Sequence, residues 1–111
     1  VMKWDIEYIK EALRDLKRLD AYNRKLILKA IEKTAERPLP PPDGIGKPLG
    51  NHASSQLSGY YKIKLKNIGY RVVYCLVREK NIMKVIVISI RDDDAVYKEA
   101  ERRINILKTN N

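Results

Sequence analysis

Tyr60, Lys62, Lys64 and Lys66 recur at every second position of one short segment, with Tyr61, Ile63 and Leu65 between them. On an extended strand that period of two sets a phenol and three ammonium groups on one face and the apolar side chains on the other. The next run, Tyr70 to Arg78, separates Tyr70, Val72, Tyr74 and Leu76 from Arg71, Val73 and Cys75. A turn of even length opposes Lys66 to Arg71 and Leu65 to Val72, whereas a three-residue turn sets Leu65 beside Arg71 and Lys64 beside Val72. One slip of register flips every side chain, so the apolar pattern selects the even turn. Three lysines and Arg71 then share a face, expected to point away from the helices. Like charges on neighbouring strands repel and cost stability. Such a face suits phosphates, but alternating lysines also describe an ordinary solvated sheet, and the pattern leaves both readings open.

The net charge of +9, from 23 Lys plus Arg against 14 Asp plus Glu, favours a polyanionic partner over charge that serves solubility alone. The side chains for other chemistries are scarce. His52 is the one histidine, in a loop of small residues, and is expected to be a surface group. Cys75, the one cysteine, lies among Val73 and Val77 and reads as core; it excludes an internal disulfide and fits a reducing cytoplasm. No metal site is expected from one cysteine and one histidine, and Asp92, Asp93 and Asp94 lack the spacing of a calcium loop. No glycine-rich phosphate loop is present, so no cofactor is expected.

The elements that must position the basic face follow from periodicity. At 111 residues the chain fits a single domain, 1–111, and 44% apolar residues suffice for its core. Met2 is taken as the natural start. No apolar run approaches the roughly 20 residues a bilayer needs, and a cytoplasmic location is expected. Trp4 to Tyr8 alternates like a first strand. A helical hairpin is expected over about 8–36, with Ile9, Ala12, Leu13, Leu16 and Leu19 on one stripe, Leu26, Ile27, Ala30, Ile31 and Thr34 on the other, and Asp20 capping the second helix. The two helices are expected to cover each other's stripes. Arg37 to Gly50 holds all five prolines and three of the five glycines. Residues 37–59 therefore read as a loop, with Pro40-Pro41-Pro42 extended. Tyr60 to Lys66, Tyr70 to Arg78 and Ile82 to Ile90 form an antiparallel meander within 60–91. A last helix over 92–107 buries Val96, Ala100, Ile104 and Leu107, with the three aspartates at its positive end, and 108–111 is a polar tail. The fold class is α+β, a first strand and helical hairpin packed on one face of a small antiparallel sheet, with a C-terminal helix.

Tyr61-Lys62-Ile63-Lys64-Leu65 followed by Gly69-Tyr70-Arg71-Val72-Val73-Tyr74 resembles the central hairpin of RelE-type toxins in the RelE/ParE superfamily. The resemblance continues through Ser89 to Arg91 and Ala95-Val96-Tyr97 and covers nearly the whole chain. It implies a RelE-like fold and a type II toxin that cleaves messenger RNA on the ribosome. It assigns the catalytic set to Lys62, Lys64, Arg71, Arg91 and Tyr97; the strand pattern itself adds Tyr60, which could stack on a base, and Lys66 as RNA-binding candidates.

The implied reaction is attack of a ribose 2′-hydroxyl on the adjacent phosphate, without a metal, and it needs a base, an acid and cations around phosphorus. Clustered cations depress the pKa of a lysine or tyrosine. Lys62 or Tyr97 is accordingly the candidate for removing the 2′ proton, Lys64 and Arg91 stand on the leaving-group side, and Arg71 clamps the phosphate with its planar fork. The acid and base labels are interchangeable at this stage. The resemblance also implies a RelB-like antitoxin as partner, besides the ribosome and the message. Two other functions stay open: a ParE-like toxin that poisons gyrase, and a degenerate member that binds RNA without cutting it.

Overall fold

A computed structural model of the chain describes residues 3–49, 59–90 and 92–109. In order these form β1 (Asp5–Tyr8), α1 (Lys10–Arg18), α2 (Ala21–Glu36), β2 (Lys47–Pro48), β3 (Tyr60–Leu65), β4 (Tyr70–Val77), a 3₁₀ turn (Arg78–Lys80), β5 (Ile82–Ser89) and α3 (Asp93–Thr109). The described residues make one five-stranded sheet in the order β1-β5-β4-β3-β2. The meander β3-β4-β5 is antiparallel as expected, while β1 runs parallel to β5 along Asp5 to Tyr8, so the sheet is mixed. The α+β class holds.

The helices do not share one face. Ala12, Leu16 and Leu19 of the α1 segment and Ile27, Ile31 and Ala35 of α2 pack with Tyr61, Val72, Tyr74, Met83, Val85 and Ile88. Val96, Tyr97, Ala100 and Ile104 of α3 pack on the opposite face, against Val73, Ile86 and Val87. The expectation of one helical face fails because β5 is apolar on both sides. A strand of consecutive branched residues is read most simply as one covered twice. A β-bulge between Val73 and Tyr74 lets Ile86 and Val87 both face α3. Nor do α1 and α2 mainly cover each other, for both lay their stripes on the sheet. Their tight link is held instead by Arg24, which donates to the carbonyls of Leu16 at 2.9 Å and Leu19 at 2.6 Å, at the end of α1 where carbonyls run short of helical partners. Asp20 accepts from the Asn23 N–H at 3.4 Å at the N-cap of α2, as the sequence suggests. Leu13 and Leu107, expected in the core, are exposed.

The described stretch of the proline-rich loop, up to Leu49, is structured. Pro40-Pro41-Pro42 turns rather than extends, since the Asp43 and Gly44 N–H groups both donate to the Pro40 carbonyl at 3.1 and 3.2 Å. The chain then returns across the core, where the buried Tyr74 hydroxyl donates to the Pro38 carbonyl at 3.0 Å. A Cβ on Gly46 would lie 2.3 Å from that carbonyl oxygen and 2.7 Å from the Tyr74 hydroxyl, so glycine is required for this approach. Lys47 and Pro48 close the sheet as an edge strand on β3, a place where proline is tolerated.

β5 outruns its neighbour. Past Val85, whose carbonyl accepts from the Ile9 N–H at 3.2 Å, β1 has ended. Two charged side chains complete the edge. Asp15 of α1 accepts from the Ile88 N–H at 3.0 Å, and Arg103 of α3 donates to the Ile86 carbonyl at 2.8 Å. They pair with each other at 2.7 and 3.1 Å, both under a tenth exposed. Glu99 accepts from Arg103 at 2.7 Å. Its carboxyl is held down to about 2, first by the hydrogen bond from Arg102 and, against burial, by Arg103.

Removing one member of such a pair strands the other charge and the backbone group that the lost side chain served, which for Asp15 is the Ile88 N–H. Asp15→Ala is expected to lower the unfolding free energy by about 3–5 kcal/mol in urea denaturation. A loss within the range of an ordinary surface substitution would show that the edge is satisfied in another way.

Candidate functional site

The β3–β4 hairpin sets the site's register. The turn occupies Lys66 to Gly69, where the Gly69 N–H donates to the Leu65 carbonyl at 2.9 Å and φ of +73° calls for glycine. Its four residues make it even, as the apolar pattern requires. The pairs lie two residues from those expected, however, with Lys64 opposite Arg71 and Leu65 opposite Tyr70. Lys62, Lys64 and Arg71 therefore share a face. Lys66 leaves the strand and stands exposed in the turn, beside a cleft of about 400 Å³ lined by Leu26, Lys64, Leu65, Asn67 and Ile68.

That basic face is the one α3 covers, not the open one. The first turns of α3 lie over Lys62 and Arg71, and Asp93 and Tyr97, four residues apart, project from the same side of the helix. Tyr97 buries its ring among Val73, Val96 and Ala100, and its hydroxyl accepts a hydrogen bond from Lys62 Nζ at 3.1 Å. The ammonium also lies 5.9 Å from the ring centroid, within cation–π range. Asp93 takes a hydrogen bond from Arg71 Nε on one carboxylate oxygen, while Lys62 and Lys64 stand 3.7 and 3.9 Å from the other. Burial alone would push the Asp93 carboxyl up; the Arg71 hydrogen bond and the charges of Lys62, Lys64 and Arg71 outweigh it and hold the group below the usual carboxylate range.

Sequence reasoning named four of these five residues and missed the role of Asp93. The signal was available in its spacing, since a residue four before Tyr97 on a helix must share its face. Asp92 does the capping expected of the triplet, accepting from the Ala95 N–H at 2.9 Å. Arg91 and His52 lie outside the described residues. Tyr60 sits half-buried beside Cys75, and burial, then Cys75, pushes its hydroxyl up to about 12. Burial likewise pushes the Cys75 thiol up, against the charge of Lys84 and the hydrogen bond of Tyr60. That is the reverse of an activated nucleophile. Among the described residues no cluster of His, Cys, Asp or Glu fit to hold a metal ion occurs, and no helix is long and apolar enough to cross a membrane.

The arrangement can grip a tetrahedral anion from three sides and carries one phenol hydrogen-bonded to an ammonium. A family model described as the ParE toxin of the type II toxin–antitoxin system parDE matches residues 6–95. The chain belongs to this family, within the RelE/ParE toxin superfamily. The domain is similar to the mRNA interferase toxin RelE of Escherichia coli K12, 29% identical over 106 residues that cover 93% of this chain and 99% of that protein. A free-state structure of an arginine-substituted E. coli RelE matches the toxin fold with a TM-score of 0.69 at 27% identity, over 93% of this chain and 99% of that one. The same RelE variant bound to a peptide of the antitoxin RelB matches with a TM-score of 0.63 at 26% identity, over 89% and 95%.

The depressed Asp93 carboxyl has a consequence for this ParE-family domain. A group whose folded pKa lies below its unfolded value adds stability above the unfolded pKa and loses it as pH falls through the folded one. Asp93→Asn is expected to lower the thermal midpoint at neutral pH, where three cations lose their counter-ion. Wild type and variant should converge in acid, below the usual carboxylate range. A gap that persists unchanged in acid would mean that the carboxylate's charge is not what matters.

Proposed function

We propose that this toxin is a ribosome-dependent endoribonuclease that cuts messenger RNA by attack of a 2′-hydroxyl on the neighbouring phosphate. The observation that carries this reading is the convergence of Lys62, Lys64 and Arg71 on one point beside the Tyr97 hydroxyl. Similarity to RelE, named as an mRNA interferase, supports it. Arg71 presents a planar fork to the non-bridging oxygens, and the two ammonium groups offset the charge that builds on phosphorus. Lys62 and Tyr97, already joined by a hydrogen bond, form the proton-handling pair for the 2′-hydroxyl. Lys64, with Arg91, serves the leaving 5′-oxygen. The set holds no histidine, so orientation of the message by the ribosome supplies much of the rate. A RelB-like antitoxin is the proposed partner, supported by the RelB-bound structures of similar toxins.

The matched family model favours a second reading, because its description is that of ParE. Such a toxin would poison gyrase and leave messages intact. Cell-free translation with mapping of message ends separates the two. Cuts within reading frames during translation, and few in the same RNA alone, are expected. Intact messages alongside trapped gyrase–DNA complexes would select the second reading, and equal cutting of naked RNA would remove the ribosome from the mechanism.

The roles are tested by single-turnover cleavage. Arg71→Ala and Tyr97→Phe should each slow it by about 10²-fold or more, and Tyr97→Phe keeps the buried ring and hence the fold. His52→Ala should leave the rate nearly unchanged. A dead His52 variant beside a fully active Tyr97→Phe would overturn the assignment.

A further inference from the structure

Asp93 is an acid in contact with all three members of the basic cluster, Lys62, Lys64 and Arg71. Both of its oxygens are engaged, one by Arg71 and the other facing the ammonium groups of Lys62 and Lys64. Its two neighbours are differently placed: Asp92 is committed to the helix cap, and Asp94 is exposed. A carboxylate and a phosphodiester offer a guanidinium the same thing, two anionic oxygens at similar spacing. Three cations cannot surround both at one point. The Asp93 side chain is also one-third exposed, so a displaced carboxylate can turn into water without burying an unpaired charge.

We propose that Asp93 is an internal counter-ion seated where the RNA phosphate must bind, which the phosphate displaces, so that this one carboxylate sets how tightly the site holds its substrate. The proposal rests on reading the cluster as a phosphodiester seat. Asp93 is in this sense a positioning residue, acting through Arg71, Lys62 and Lys64. In the free protein it holds three mutually repelling cations in a converged arrangement. When RNA arrives, it is the group the phosphate has to outcompete.

The test is binding without chemistry. The probe is a short single-stranded RNA with every ribose 2′-O-methylated, titrated into the purified full chain by fluorescence anisotropy at several salt concentrations. Asp93→Asn is expected to bind about tenfold more tightly at low salt, the order of one removed charge a few ångströms from the phosphate. Its plot of log affinity against log salt should steepen by about 0.7, one further phosphate neutralised on a single strand. Asp94→Asn changes the formal charge equally without touching the cluster, and it should stay within about twofold of wild type, as expected of an exposed charge in salt. Equal or weaker binding by Asp93→Asn overturns the proposal, as does an equal gain in Asp94→Asn or no measurable binding by any of the three. Should Asp93→Asn not fold, the wild type carries the test by nuclear magnetic resonance. Added probe should shift the Arg71 Hε signal as the carboxylate is replaced, and an unmoved signal in bound protein overturns the idea. Failure of message cleavage in translation extracts would count against the nuclease reading alone and leave this affinity comparison standing.

Discussion

Where β1 stops at Tyr8, β5 still has four residues to run, and their backbone groups on that side need partners. A longer first strand would satisfy them and leave α1 and α3 unconnected. Asp15 and Arg103 satisfy them here, each from a helix on a different face of the sheet, and then bond to one another. The edge of β5 is thereby turned into a bolt through the domain. Burying two charges is expensive unless every donor and acceptor is used. The bidentate contact, the two backbone groups and the bond from Arg103 to Glu99 meet that condition. The phase of α3 follows. With Arg103 held at the edge, Ile104, Ala100 and Val96 must face Val73, Ile86 and Val87, and Tyr97 and Asp93 can only fall over β3 and β4.

The basic face is then no longer a bare surface. Lys62, Lys64 and Arg71 would repel one another on an open sheet, and side chains that repel spread apart into water. Under α3 they converge, because Asp93 attracts all three and the Tyr97 hydroxyl fixes the ammonium of Lys62. Pre-organisation of this kind is what an anion site needs, since charges already in place are not rearranged when the substrate enters. It also sets the two requirements against each other. On the proposed reading, the group that gathers the cations competes with the phosphate for them.

How much of this was legible in the sequence differs from element to element. The parity of the hairpin was legible, because one slip of register would have buried Lys64 and exposed Leu65. The pairing itself was not, since Lys66 continues the alternation of β3 although its backbone has already entered the turn. The face chosen by α3 was misjudged for a related reason. A pattern of two locates charges on one side of a strand but does not say that the next element covers them. The clue lay in Val85-Ile86-Val87-Ile88, whose unbroken apolar character needs cover on both faces, although the bulge that sends Ile86 and Val87 to the same side leaves no mark in composition. Lys47-Pro48 was hidden by its proline, which reads as a breaker and is in fact an edge residue. Of the site, the shared face of Lys62, Lys64 and Arg71 was legible in the strand alternation, Tyr97 was reached through resemblance, and Asp93 was passed over as one of three apparently equivalent capping acids.

Their inequivalence comes from helix geometry. Successive residues on a helix are turned by about 100°, so three adjacent aspartates cannot face the same way. Asp92 stands outside the first turn and can reach forward to the Ala95 N–H. Asp93 points along the side that carries Tyr97, and Asp94 points to water. Only the middle one meets the cations, and that follows from the phase fixed ten residues later at Arg103. On the proposed nuclease reading, this phase bears on the choice of substrate. A free RNA must displace Asp93 with whatever affinity a mobile phosphate can muster, whereas a message held by the ribosome presents its phosphate at high effective concentration and in one orientation. The internal carboxylate penalises the first far more than the second. An acid at this position therefore favours the same presented substrate that the proposed catalytic set, which includes no histidine, calls for.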